Sequence, residues 1–196
     1  MNKLVIASSN PGKLREFQQM LAPLGIEVIP QSRLGISEAE EPHGTFVENA
    51  LAKARHVSRQ SGLPALADDS GICVSALGGE PGVHSARYAG DNPKSDRRNN
   101  EKLLRSMQGI TDRRAHYYCV LVMLHHADDP QPLIAEGQWN GEIGYDERGS
   151  GGFGYDPLFW LPGFNRTAAE LTHDEKHTIS HRGKALKVLL EKMKQE

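Results

Sequence analysis

Residues Ala67-Asp68-Asp69-Ser70-Gly71 constrain this chain more than any other stretch. An apolar run precedes them, Leu63 to Ala67, and another follows, Gly71 to Ala76. Runs of this length read as two buried strands with a break between them. Adjacent carboxylates followed by a hydroxyl and a glycine are poor strand formers. The pair is therefore expected at a strand end, on the rim of a sheet, where water and metal reach it. Neighbouring like charges repel, and a divalent cation such as Mg²⁺ removes that cost. A polar turn with Asp at its start and Gly at its end suits the same residues. Local sequence leaves turn and metal site both open.

The length of 196 residues suits one domain, or one core with a smaller lobe. No repeat, linker or clean boundary divides it, so a single domain over 1–196 is expected. With 38% hydrophobic and 24% charged residues, a folded soluble protein is expected and disorder is not. A net charge of -2 gives no general pull toward nucleic acid or membrane. No basic stripe is visible either, so neither partner is expected. Any anion site must come from local placement of Lys and Arg. Cys73 and Cys119 sit inside apolar runs and read as buried thiols. No apolar run reaches membrane-spanning length, and a first strand at Lys3 leaves no room for a signal peptide. A reducing, cytoplasmic setting is the expectation.

Lys3 to Ser8 is a short β-branched run, hence a buried strand, and Ser8-Ser9-Asn10-Pro11-Gly12-Lys13 follows at once. Leu14, Phe17, Leu21 and Leu24 then fall at helical spacing. Strand, polar loop and helix N-terminus in that order make a place for phosphate, and Lys13 adds a full charge. An ordinary cap with Asn10 as N-cap and Pro11 at N1 fits equally. Glu27 to Pro30 reads as a second strand, followed by a loop carrying Glu38, Glu40 and Glu41. Thr45-Phe46-Val47-Glu48 is a capping box that opens a helix to about Gln60, with Lys53 on it. Asp96 to Met107 reads as a charged helix. Tyr117 to Leu124 is apolar on both faces, as a central strand is, and Ile134 to Ile143 is its expected neighbour. In Ser150 to Pro157, glycines alternate with Phe153 and Tyr155, and a ring on such a loop can stack on a planar base. Leu158 to Leu161 is a short strand, Thr172 to Glu175 a second capping box, and a final helix follows Ser180-His181-Arg182-Gly183. A cationic pair at that helix start opposes the helix dipole unless an anion or a carbonyl-rich ligand lies nearby.

Taken together, the motifs resemble those of the inosine/xanthosine triphosphate pyrophosphatase family. The matching pieces are Ser8 to Lys13, Thr45 to Ala50, Ala67 to Gly71, Pro81 to Arg87, Gly151 to Pro157 and Ser180 to Arg182, in that family's order. Ser8-Ser9 stands where many relatives have Thr-Gly. The resemblance implies a mixed α/β fold, with a curved central sheet flanked by helices and two lobes around a nucleotide cleft. It also implies a homodimer, a Mg²⁺ requirement, and hydrolysis to a nucleoside monophosphate and pyrophosphate.

On that resemblance, roles fall to particular residues. Ser8, Ser9, Asn10, Pro11, Gly12, Lys13 and Lys53 would hold phosphates. Asp68 and Asp69, with Glu41 or Glu40, would hold Mg²⁺. Asp69, with Asp68 behind it, would take the proton of the attacking water, and Ser70 would bond phosphate or fix the carboxylates. Phe153, Gly154, Tyr155 and Asp156 would shape the base pocket, and Lys176, His181 and Arg182 would supply donors to a 6-oxopurine. A pyrophosphatase for another modified nucleotide and a non-catalytic nucleotide sensor are the alternatives.

Overall fold

The computed structural model describes residues 2–195. Its strands are β1 (Lys3–Ile6), β2 (Glu27–Pro30), β3 (Ala65–Val74), β4 (Arg114–Leu124), β5 (Leu133–Ile143), β6 (Phe159–Leu161) and β7 (Arg166–Thr167). The α-helices are α1 (Pro11–Leu21), α2 (Phe46–Ser61), α3 (Asp96–Ser106), α4 (His173–Ile179) and α5 (His181–Met193). The strands form one seven-stranded sheet in the order β2-β1-β3-β4-β5-β6-β7. It is mixed: β1 runs parallel to β2 and β3, while β5–β6 and β6–β7 are antiparallel. The backbone gathers into two compact units. One comprises Met1–Asp69, Val120–Glu136 and Ala185–Glu196; the other comprises Ser70–Cys119 and Gly137–Lys184.

In the first unit, α1 lies against β2 and α2 against β1. Asn10 caps α1, its side chain accepting from Gly12 N (2.9 Å) and Lys13 N (3.1 Å), with Pro11 as the first helical residue. On α2, Ala50, Ala54 and Val57 are fully buried, the stripe that helical periodicity requires. Asn49 beside them is also buried; its amide clasps both main-chain groups of His43, at 3.0 and 3.1 Å. That clasp fixes the acidic loop to the start of α2. Residues Val120 to Leu124 are all buried, as a strand in the middle of the sheet must be.

In the second unit, α3 packs on the 3-10 helix Gly82–Arg87. The core there is built on Ile72, Leu103, Met107, Tyr117, Trp139, Tyr155, Leu158 and Phe159. Cys73 and Cys119 are both thiols, and burial pushes the Cys73 thiol above its usual range.

The sequence-based break at Asp68-Asp69 is corrected. β3 runs unbroken from Ala65 to Val74, with Asp68 2% and Asp69 7% exposed. They occupy neither a turn nor a strand tip. The parallel neighbour β1 stops before the two carboxylates. Val5 and Ile6 of β1 pair with Ala65 and Leu66, and β1 ends there. Asp68 and Asp69 therefore extend past the carboxyl end of a parallel neighbour, where side chains from the following loop and helix can reach them.

Candidate active site

Two lysines converge on the carboxylates of the first unit. Lys13, in the first turn of α1, reaches across to β3, its ammonium 2.8 and 2.9 Å from the two carboxylate oxygens of Asp68. Lys53, from the middle of α2, lies 2.6 Å from Glu41 Oε1 and 3.1 Å from Asp69 Oδ1. Glu40 is exposed, whereas Glu41 is partly covered and turned onto Lys53. The second oxygen, Asp69 Oδ2, is buried and has no hydrogen-bond partner among the described residues. A buried acceptor of this kind suits a donor or a cation.

The charges shape one another. Burial pushes the Asp69 carboxyl above the usual carboxylate range; the Lys53 ammonium pulls it down, and the anions Glu41 and Asp68 push it further up. Burial works to lower Lys53, but Asp69, Asp68 and Glu41 outweigh it and hold the ammonium above its usual value. Three main-chain donors of the loop before α1 are satisfied internally: Ser8 Oγ accepts from Asn10 N (3.2 Å), and the Asn10 cap takes Gly12 N and Lys13 N. Among the described residues, no three His, Cys, Asp or Glu side chains form a ready-made metal cage. Mg²⁺ does not demand one, since it binds through one or two carboxylates, waters and substrate phosphates. Asp69 with its open oxygen and Glu41 suit that pattern.

The second unit gathers the remaining candidates. Asp156 is 2% exposed. Its Oδ2 accepts from Phe153 N (2.8 Å) and from the Lys176 ammonium, and its Oδ1 from the Tyr117 hydroxyl (3.3 Å). That ammonium stands 4.8 Å from the centre of the Phe153 ring. Phe153 is 45% exposed, whereas Tyr155 turns into the core and donates its hydroxyl to Ser85 O at 2.7 Å. Phe153 thus offers an open face, and Tyr155 secures the turn from below. Gly152 has φ 72°, and a side chain there would collide with Asp156 Oδ2, so glycine is required twice over. Arg182 donates to Ser70 Oγ at 3.2 Å. The His181 ring stacks on Tyr117, centroids 4.7 Å apart and planes 9° apart.

Sequence patterns did not single out Tyr117, Asn49, Asp96 or Asn100. Each acts through contacts that the fold supplies, and only the pairing of Asp96 and Asn100 one helical turn apart left a local trace.

A seven-stranded mixed sheet flanked by helices defines the class: an α/β protein. Comparison with known proteins is specific. The Ham1 family model matches residues 4–192. The chain is 65% identical over 191 residues to the dITP/XTP pyrophosphatase of Nitrosomonas europaea, covering 97% of this chain and 94% of that protein. It is 63% identical over 196 residues to the protein of the same description from Ralstonia nicotianae, covering 99% and 98%. Among solved structures, a HAM1 protein from Coxiella burnetii superposes with a TM-score of 0.95 at 47% identity, covering 100% of both chains. The Ham1 protein of Staphylococcus aureus gives 0.90 at 40%, covering 99% of each. The chain belongs to the Ham1 family.

Proposed function

We propose that the protein hydrolyses deaminated purine nucleoside triphosphates, dITP, ITP and XTP, to the nucleoside monophosphate and pyrophosphate. Such an activity clears these nucleotides before they enter DNA or RNA. The observation that carries the reading is the Lys13–Asp68 and Lys53–Asp69–Glu41 arrangement, which puts one ammonium group on each of two adjacent buried carboxylates and leaves Asp69 one open oxygen. Family membership and relatives bearing the pyrophosphatase description over the whole length support it, as they support one functional domain over 1–196.

In this reading Asp69 takes a proton from water, the water oxygen bonds to the α-phosphorus, and the bond from that phosphorus to the bridging oxygen breaks. Pyrophosphate leaves with the bond's electron pair. Lys13 and Lys53 exchange their carboxylate partners for phosphate oxygens and stabilise charge on the leaving group. Ser8 to Lys13 contribute hydroxyls and amides once the Asn10 cap yields. Metal dependence is general among pyrophosphatases of this family; Asp69 and Glu41 would hold Mg²⁺, which would supply charge neutralisation at the phosphates.

The base lies on the open face of Phe153, and Lys176, His181 and Arg182 present donors to the 6-oxo group. Adenine offers a 6-amino donor at that position, so donor would face donor. Polar mismatches of this kind reach about 10⁴ in discrimination. A homodimer and a cytoplasmic setting belong to the same proposal. Pyrophosphate release from ITP, XTP, GTP and ATP, with and without Mg²⁺, tests it. Rapid Mg²⁺-dependent release from ITP and XTP alone is expected. Orthophosphate as first product, or equal rates with ATP, would overturn it.

A further inference from the structure

Resting on the reading of Phe153 as the surface on which the base stacks, a further question concerns what sets the tilt of that ring. Phe153 is 45% exposed, so little packing does so. The turn carrying it is instead pinned at consecutive residues by side chains of the same unit. Phe153 N donates to Asp156 Oδ2 at 2.8 Å, and the Tyr155 hydroxyl donates to Ser85 O at 2.7 Å. Between them, both main-chain groups of Gly154 are taken by α3. Gly154 N donates to Asp96 Oδ2 at 2.8 Å, and Asn100 Nδ2 donates to Gly154 O at 3.2 Å. Asp96 and Asn100 are one helical turn apart and share a face. Gly154 itself has φ 63°, a conformation with no steric walls around it, since a side chain there would meet nothing within 4 Å. Hydrogen bonding, and not crowding, holds this peptide.

Asp96 has no duty as the helix cap. Ser95 fills that place, its side chain accepting from Arg98 N at 3.3 Å. The Asp96 carboxylate is exposed, yet it turns outward onto a glycine fifty-eight positions along the chain. We infer that Asp96, together with Asn100, is a positioning residue for the purine site: Asp96 fixes the plane of the Phe153–Gly154 peptide and Asn100 that of the Gly154–Tyr155 peptide, and the pair so sets the tilt of the Phe153 ring.

The competing role for Asp96 is a favourable charge in the first turn of α3. Two substitutions separate these. Asp96→Asn keeps an acceptor oxygen for Gly154 and loses the charge; Asp96→Ala loses both. Positioning predicts that Asp96→Ala raises KM for ITP about three- to tenfold, with kcat within about twofold, because an alignment bond is lost and the reacting groups are not. Asp96→Asn should return KM to within about twofold of the parent. Amide exchange at Gly154, followed in the folded proteins, should quicken in Asp96→Ala and not in Asp96→Asn. Asn100→Ala, which frees the other side of the same residue, should also speed exchange across 153–156. A KM unmoved by Asp96→Ala, or raised equally by both substitutions at Asp96, would overturn the inference. Phe153→Ala run alongside distinguishes the failures. If it leaves KM for ITP unchanged, the stacking reading falls and this inference with it. If it raises KM while Asp96→Ala does not, only the positioning role falls.

Discussion

Asp69 keeps one oxygen on Lys53 at 3.1 Å and the other buried without a hydrogen-bond partner among the described residues. An asparagine there has nearly the same shape but cannot accept a proton. Asp69→Asn should therefore lower kcat by about 10²–10⁴ while the protein stays folded; single-turnover pyrophosphate release at saturating Mg²⁺ measures it, and a loss below about tenfold removes Asp69 from the base role. Arg182 is 4% exposed and anchored to Ser70. Arg182→Ala should shrink the ratio of kcat/KM for ITP over ATP, and an unchanged ratio would show that the donors lie elsewhere. The candidate residues were legible because their types are chemically unusual: paired carboxylates, a lysine after a polar loop, a ring among glycines. Their supports were not legible. Asn49 gripping His43 and Tyr117 joining Asp156 to His181 look in sequence like a helical polar residue and a strand aromatic. Only the fold gives them partners.

At the scale of elements, α4 shows how a short helix can be held by its caps. It has seven residues, His173 to Ile179, and carries Lys176 on to Asp156. Thr172 and Glu175 close a full capping box, and Glu175 also accepts from Arg166 at 2.9 Å. The bond from Arg166, aided by those from Thr172, holds the Glu175 carboxyl down at about 2 from its ordinary 4.5. A depressed acid stabilises the folded state above its unfolded pKa and loses that contribution as pH falls toward the folded value. Glu175→Gln should accordingly lower the melting temperature at pH 7, and its deficit against the parent should narrow as pH drops from about 4.5 to about 2. Melting curves at a few pH values decide it. The next element starts under tight constraint: a side chain at Gly183 would collide with His177 O. Gly183→Ala should cost about 1–3 kcal/mol as overpacking against backbone, a fall in melting temperature of about 2–4 °C for each kcal/mol. The longer helices were readable from periodicity and capping residues, as α2 illustrates, whereas the two-residue β7 and the 3-10 helix Gly82–Arg87 left no such pattern. β3 misled because propensity penalises two aspartates in a strand, whereas lysines brought in from α1 and α2 make the strand tenable.

On the scale of the whole molecule, the two compact units are not strung together by linkers. The backbone passes between them at 69–70, 119–120, 136–137 and 184–185. Those positions fall inside β3, β4, β5 and α5 respectively. Separating the units would break hydrogen-bonded elements, so neither can melt without unpairing backbone that the other shares. Independent domains behave otherwise, with boundaries in exposed, flexible segments that few contacts cross. The expected outcome is one cooperative transition, despite a length beyond the range where two-state behaviour is usual. The tryptophans make the test selective. Trp139 and Trp160 both belong to the second unit, so their fluorescence follows that unit alone. Far-UV circular dichroism follows helices and strands of both. Coincident denaturant midpoints from the two probes, with a calorimetric enthalpy equal to the van't Hoff enthalpy, are predicted. A fluorescence midpoint displaced from the dichroism midpoint would mean that β3, β4, β5 and α5 can part at those junctions. The units would then be separable domains after all.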